Sequence, residues 1–286
     1  MYEQFYALRE KPFALTPDPA YLFLAKRHRH ALTMLEYALT QASGFALITG
    51  EVGCGKTTVV QHFLARAAGA LDVGFINNAH PGFGALLPWV MESFGLEAGQ
   101  ATPSELYRRF AAHVRQKYAA GARTVLVIDE AQNLGIAGLE ELRVLSNLNV
   151  GKDLLLQTVL IGQPELRALL QLQSMRQLAQ RIAIDHHLEA LRSEETLGYV
   201  RHRLAVAGGR PDLFTPEAIQ LVHECTGGVP RLVNLVCDTA LVYGFAEQRP
   251  DITPDLIEQV VADRAAGGLL TLRVARNGAQ GALAAV

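Results

Sequence analysis

The chain holds 286 residues, half of them hydrophobic, and carries a formal net charge of −2. This length and apolar content can fill one large core or two smaller ones without covalent or metal staples, and the near-neutral balance excludes a protein held to nucleic acid or anionic membrane by overall charge. The three cysteines, Cys54, Cys225 and Cys237, are odd in number and lack metal-ligand spacing, which argues against a disulfide framework and fits a reducing cytosol.

The opening Met1-Tyr2-Glu3-Gln4-Phe5-Tyr6 lacks the basic-then-apolar order of a signal peptide, and no stretch reaches the about 20 apolar residues of a membrane span, so a soluble chain is expected. Residues 1–44 read as an N-terminal arm leading into a first helix. Pro12, Pro17 and Pro19 hold the arm extended, because proline lacks an N–H and disfavours helix in the residue before it. Apolar spacing from Ala31 to Leu39 predicts the helix. Between them stands the basic cluster Lys26-Arg27-His28-Arg29-His30. It reads as a solvated helix start, with contact to a nucleotide phosphate, a partner protein or nucleic acid as the alternatives.

Residues 45–189 alternate apolar strands with helical stretches, the signature of a parallel sheet covered by helices on both faces. The strand Phe45–Thr49 runs into Gly50-Glu51-Val52-Gly53-Cys54-Gly55-Lys56-Thr57, which fits G-x-x-x-x-G-K-[ST] at every fixed position, and a helix leaves from Thr58. Such a loop turns backbone N–H groups inward around a β-phosphate, at a helix N-terminus that favours anions. Lys56 can reach the β- and γ-phosphates, and Thr57 can offer its hydroxyl to Mg²⁺. Backbone rather than side chain binds at Cys54, which reads as a tolerated small spacer and not a redox switch.

A second strand is expected at Val73–Asn77, then two helices, the second opened by the capping box Thr102-Pro103-Ser104-Glu105 and running through Tyr118. The apolar strand from Thr124 ends in Asp129 and Glu130, at the carboxyl edge where sheets of this kind bind ligands. Asp129 is assigned to the Mg²⁺ shell and Glu130 to orienting and deprotonating an attacking water. Leu154–Ile161 reads as the next strand, and Gln163 just beyond it could touch the γ-phosphate or that water, or be a loop glutamine bonded to neighbouring backbone. Ile182–Leu188 reads as the last strand, on which His186 and His187 point to opposite faces and cannot share a metal.

From residue 190 to 266 the pattern is helical throughout, with starts at Ser193, Thr215 and Thr253, each an N-cap followed by an early acid. Arg231, after Gly227-Gly228-Val229-Pro230, sits at the opening of a helix where the dipole does not favour a cation, so it reads either as an anion contact or as a solvent-facing side chain beside a tight turn. Residues 267–286 lack periodicity and are expected to be a disordered tail.

These motifs in this order resemble the AAA+ ATPases of the general secretion pathway protein A (ExeA-type) family, which includes relatives associated with exosortase and surface-polysaccharide loci. The resemblance runs from Tyr2 to about Arg264. It is carried by Phe5–Phe13, Thr16–Pro19, Gly50–Thr57, Val127–Leu134, Gly162–Leu166, Ala179–Ile182 and Gly228–Arg231. It implies an α/β P-loop NTPase domain followed by a helical lid, with ATP and Mg²⁺ bound, Thr58 completing the nucleotide loop, and Gln163 in the sensor-1 region. It further implies Arg181 as an arginine finger offered to a neighbouring subunit, with Arg176 as second candidate, and Arg231 as the sensor-2 residue. The partners implied are further copies in an ATP-promoted ring of about six and proteins of a secretion or cell-envelope machinery. Longer members continue into a membrane span and a peptidoglycan-binding region. This sequence ends before either, so the expected place is the cytoplasm, with any inner-membrane association through partners. A nucleic-acid-associated regulator of the transposition type and a STAND-like signalling ATPase are the competing readings.

Overall fold

The computed structural model describes residues 1–16, 18–41, 44–67, 69, 71–79 and 84–267. The expected tail, beyond Gly267, and Pro17 of the arm lie outside the described residues. The chain forms two compact units: residues 26–189, and Met1–Ala25 together with the chain from Ala190 onward. The arm and first helix thus part company at Ala25, the arm joining the helical unit.

In the sheet unit, β1 (Phe45–Gly50), β2 (Leu71–Ile76), β3 (Arg123–Ile128), β4 (Leu156–Gly162) and β5 (Ile182–Leu188) form one sheet. The strands are parallel throughout, in the order β2-β3-β4-β1-β5. The longer helices are α1 (Lys26–Thr40), α2 (Lys56–Arg66), α3 (Leu86–Ser93), α4 (Pro103–Ala119), α5 (Gly135–Leu145) and α6 (Pro164–Leu170). Every residue of β1 and β4 is buried, as strands covered on both faces must be. The expected capping box opens α4: Glu105 Oε2 accepts the Thr102 N–H at 2.8 Å, and the stripe Leu106, Phe110, Ala111 and Val114 is buried. Burial of a large apolar side chain such as Phe110 contributes about 1.5–3 kcal/mol.

The strand expected from Leu154 to Ile161 is instead two pieces. Asp153–Leu154 pairs antiparallel with Asn149–Val150, and β4 starts only at Leu156. Between them the Leu155 N–H donates to the Leu148 carbonyl at 3.0 Å, which takes that residue out of the parallel ladder.

The helical unit contains α7 (Ser193–Val206), α8 (Pro216–Thr226), α9 (Pro230–Ala246) and α10 (Pro254–Ala266). The arm is built into its core: Phe13 packs edge-on against Phe214, with ring centroids 5.7 Å apart. Buried Arg203 donates to the Pro12 and Ala14 carbonyls. Of the three expected caps, Thr215 accepts the Ala218 N–H at 3.2 Å. Ser193 is already the first helical residue and its hydroxyl goes to Gln220, while Glu195 Oε2 accepts the Arg192 N–H at 3.0 Å. Thr253 is the cap residue of α10, but its oxygen takes no helix N–H: the hydroxyl donates to Asp255 Oδ1 and accepts from the Arg249 guanidinium at 3.4 Å.

Candidate active site

The strand order sets the site. β4 lies between β1 and β3, and in register Thr49 pairs Gly162 and Ile128 pairs Leu160. The carboxyl ends of three neighbouring strands therefore bring together the loop after β1, Gln163 after β4, and Asp129 and Glu130 after β3. Such an edge is where open parallel sheets bind ligands.

The loop Gly50–Thr57 disfavours side chains at its glycines. Gly53 and Gly55 have φ of 83° and 90°, which side chains disfavour. A Cβ on Gly50 would lie 2.4 Å from the Leu188 carbonyl oxygen. Lys56 is buried at the first position of α2, and its ammonium donates to the Gly50 and Glu51 carbonyls at 2.8 and 2.9 Å, so the positive charge is held within the arc of the loop. Thr58 is half-buried one residue beyond Thr57, whereas Glu51 and Val52 are exposed. Cys54 is buried, which pushes its thiol above the ordinary range and leaves no reactive thiolate there.

Across from the loop, Thr57 Oγ1 donates to Asp129 Oδ2 at 2.6 Å, and Asp129 Oδ1 accepts the Glu130 N–H at 2.9 Å. Asp129 is 4% exposed, and no ion pair to it exists among the described residues. Among the described residues its bonding partners are one hydroxyl and one amide, and a buried carboxylate so placed favours a cation beside it. The donor set of one carboxylate and one hydroxyl, with phosphate oxygens to complete it, suits Mg²⁺ better than a softer metal. The residues fit the ion the sequence implies.

Glu130 stands in the left-handed region at φ 51°, ψ 42°, a conformation that costs a non-glycine residue roughly 1–3 kcal/mol. Its carbonyl accepts the Asn133 N–H at 2.9 Å, which holds the turn. Its carboxylate accepts from Gln132 Nε2 at 2.5 Å and from Gln163 Nε2 at 3.0 Å. Burial pushes this carboxyl upward, but the bonds from Gln132 and Gln163 and the nearby Lys56 charge outweigh it, and the net shift is below the ordinary carboxylate range. The group is therefore ionised, as an acceptor of a water proton must be.

Gln163 meets Glu130 directly, closer to the proposed base than to any backbone role for its amide. The basic cluster differs from a solvated helix start at two of its five positions. His28 is buried, and its Nε2–H donates to the Cys54 carbonyl at 3.2 Å, directly beneath the phosphate loop. Arg27 pairs with Glu189 at 2.5 Å, while Lys26, Arg29 and His30 are exposed. Helical periodicity carried the signal for His28, since it shares a face with buried Ala31, Leu32 and Leu35. Gln132 had no such signal, because its reach depends on the left-handed turn at Glu130. His187 Nδ1 lies 3.0 Å from Thr49 Oγ1, and among the described residues no cluster of His, Cys, Asp and Glu could hold a metal by itself.

The arginines are placed elsewhere. In register Phe45 pairs Ile182 and Gly50 pairs Leu188, so Arg181 lies at the opposite end of the sheet from its own phosphate loop. Its guanidinium is exposed and bonded to Ser146 Oγ at 2.6 Å and Asn147 Oδ1 at 2.7 Å, just past the end of α5. Arg176 is exposed at the start of a short helix, Arg176–Ala179. Arg231 is exposed in the first turn of α9, in the helical unit.

An AAA domain family model matches residues 39–170. General secretion pathway protein A of Aeromonas hydrophila is 44% identical over 250 residues, which take in 86% of this chain and 45% of that protein, so the chain spans less than half of that relative's length. Among solved structures, the ORC2 protein of Aeropyrum pernix superposes with a TM-score of 0.68 at 18% identity, covering 92% of this chain and 73% of that one. A Walker-type ATPase of Pyrococcus abyssi gives 0.64 at 15%, covering 90% and 78%. At those identities the structures speak to the fold alone. The chain carries an AAA domain on a P-loop NTPase fold with a helical C-terminal region, and it is related to General secretion pathway protein A.

Proposed function

We propose that the chain hydrolyses ATP and that this cycle drives assembly or export in a cell-envelope system. The observation that carries the catalytic part is the 2.6 Å bond from Thr57 to Asp129, which fixes the phosphate loop against the strand end bearing Glu130. With ATP in the loop, Lys56 faces the β- and γ-phosphates. A water oriented by Glu130 attacks the γ-phosphorus. The bond from that phosphorus to the bridging oxygen breaks, ADP leaves with the bond's electrons, and the water proton passes to the Glu130 carboxylate. Mg²⁺ bound by Thr57 and Asp129 would offset the phosphate charge. Gln163 contacts the γ-phosphate, Arg231 couples the phosphate to the helical unit, and Arg181 serves the site of a neighbouring subunit in a ring of about six, which ATP promotes. The secretion or envelope partner rests on the 44% identity to General secretion pathway protein A. No helix among the described residues is long and apolar enough to cross a membrane. A place in the cytoplasm, with partners bringing the chain to the inner membrane, goes with the envelope reading. Exposed Lys26, Arg29 and His30 favour a second reading, a nucleic-acid-associated regulator, whose binding would fall steeply with salt.

Glu130→Gln tests the chemistry. It should bind MgATP as the wild type does and lose turnover by about 10²–10⁴. Wild-type phosphate release by this variant would remove Glu130 from the mechanism.

A further inference from the structure

Gln132 lies two residues beyond Glu130, half-buried on the turn Ala131–Leu134. Both ends of its amide are engaged. Nε2 donates to Glu130 Oε2 at 2.5 Å, and Oε1 accepts the backbone N–H of Gln163 at 3.1 Å. One side chain therefore links the end of β3 to the end of β4. The place is shaped for it from the other strand as well: a Cβ on Gly162 would stand 2.8 Å from Gln132 Oε1 and 2.6 Å from Leu166 Cδ2, so the room taken by the amide oxygen exists because position 162 has no side chain. The same Glu130 oxygen also accepts from Gln163 Nε2 at 3.0 Å, which closes a loop of bonds through Glu130, Gln132 and Gln163.

We propose that Gln132 is a positioning residue for ATP hydrolysis, fixing where the Glu130 carboxylate sits and tying it to the loop that carries Gln163. The role rests on the reading of Glu130 as the base. When a γ-phosphate draws the Gln163 side chain toward itself, the Gln163 backbone moves with it, and the Gln132 amide passes that movement to the carboxylate. Only an amide of this length does both jobs, donating to a carboxylate and accepting from an N–H. Methionine keeps the length and loses both bonds. Glutamate keeps the acceptor for Gln163 and sets a like charge against Glu130.

The test uses Gln132→Met and Gln132→Glu in the full chain, with two readouts: exchange of the Gln163 backbone amide by NMR in nucleotide-free protein, and kcat, KM and ATP affinity in steady state. Gln132→Met should speed Gln163 amide exchange by about fivefold to tenfold, the loss of one bond. It should lower kcat by about 10- to 100-fold, as misplacement of a reacting group does, with ATP affinity within about twofold of wild type. Gln132→Glu should restore slow exchange at Gln163 and still lower kcat at least as far as Gln132→Met. A general loosening of the fold would not give that split. Wild-type kcat in Gln132→Met, unchanged exchange at Gln163, or a kcat loss matched by lost ATP affinity would each overturn the positioning role while leaving the hydrolase reading in place. A wild-type chain that binds ATP and releases no phosphate would overturn both.

Discussion

Each unit buries a charged side chain that has no counter-ion among the described residues, and the two are solvated very differently. In the helical unit Arg203, 6% exposed, donates to the Pro12 and Ala14 carbonyls and, at 2.8 Å, to the Tyr199 hydroxyl, with its guanidinium 4.7 Å from the centre of the Tyr21 ring. The fork is met on its edges and its face, and that closed arrangement fastens the arm to α7. In the sheet unit Asp129 is equally buried and accepts one hydroxyl and one amide, about half of what a carboxylate can take. Burial alone does not mark a functional residue. Among the described residues Asp129 has acceptor capacity left over, beside the loop that holds Lys56.

Three arginine substitutions should differ widely in effect. Arg181→Ala should abolish turnover, since fingers of this kind supply about 10³–10⁵ in rate. Mixed with Lys56→Ala protomers, which have an intact finger and an empty pocket, it should recover part of the activity. Phosphate release that stays absent at every mixing ratio, with a wild-type rate per protomer independent of concentration, would leave Arg181 as the residue that ties Ser146 and Asn147. Arg176→Ala in the same mixture serves as the control for the finger's identity. Arg203→Met should cost the helical unit about 1–3 kcal/mol through the carbonyls left without donors, lowering its thermal midpoint by about 4–8 °C per kcal/mol. MgATP binding by the sheet unit should stay unchanged. An unaltered melting curve would show that the arm is fastened by Phe13 and its neighbours alone. Arg231→Ala, the smallest effect, should narrow the preference for ATP over ADP by about tenfold or less. Equal affinity ratios in mutant and wild type by calorimetry would make Arg231 a solvent-facing side chain.

Much of the sheet unit was legible because its signals are local. The loop motif between a buried strand and a helix, the capping box at Thr102 and the carboxylates ending β3 each occupy a few adjacent residues. What escaped needed contacts distant in sequence or backbone geometry with no pattern. The arm's place in the helical unit rests on Phe13 against Phe214 and on Arg203 against Pro12. The break before β4 comes from one backbone bond between Leu155 and Leu148. Ser193 missed its cap because the helix starts on it, which leaves Arg192 at the cap position. Gln132 became visible only once Glu130 was seen in the left-handed region, which turns the next residues back toward β4. Within the basic cluster, the density of charge masked a helical face that places His28 under the loop.

A nucleotide site at the carboxyl edge of the sheet, organised by Lys56, Thr57 and Asp129, requires the Lys56 charge for ATP to bind. Calorimetric titration of MgATP into the wild-type chain and into Lys56→Ala tests it most directly. Saturable binding at one site per chain is expected in the wild type, with its loss in Lys56→Ala and the fold unchanged by circular dichroism. Binding of equal strength in both, or none in the wild type, would contradict it.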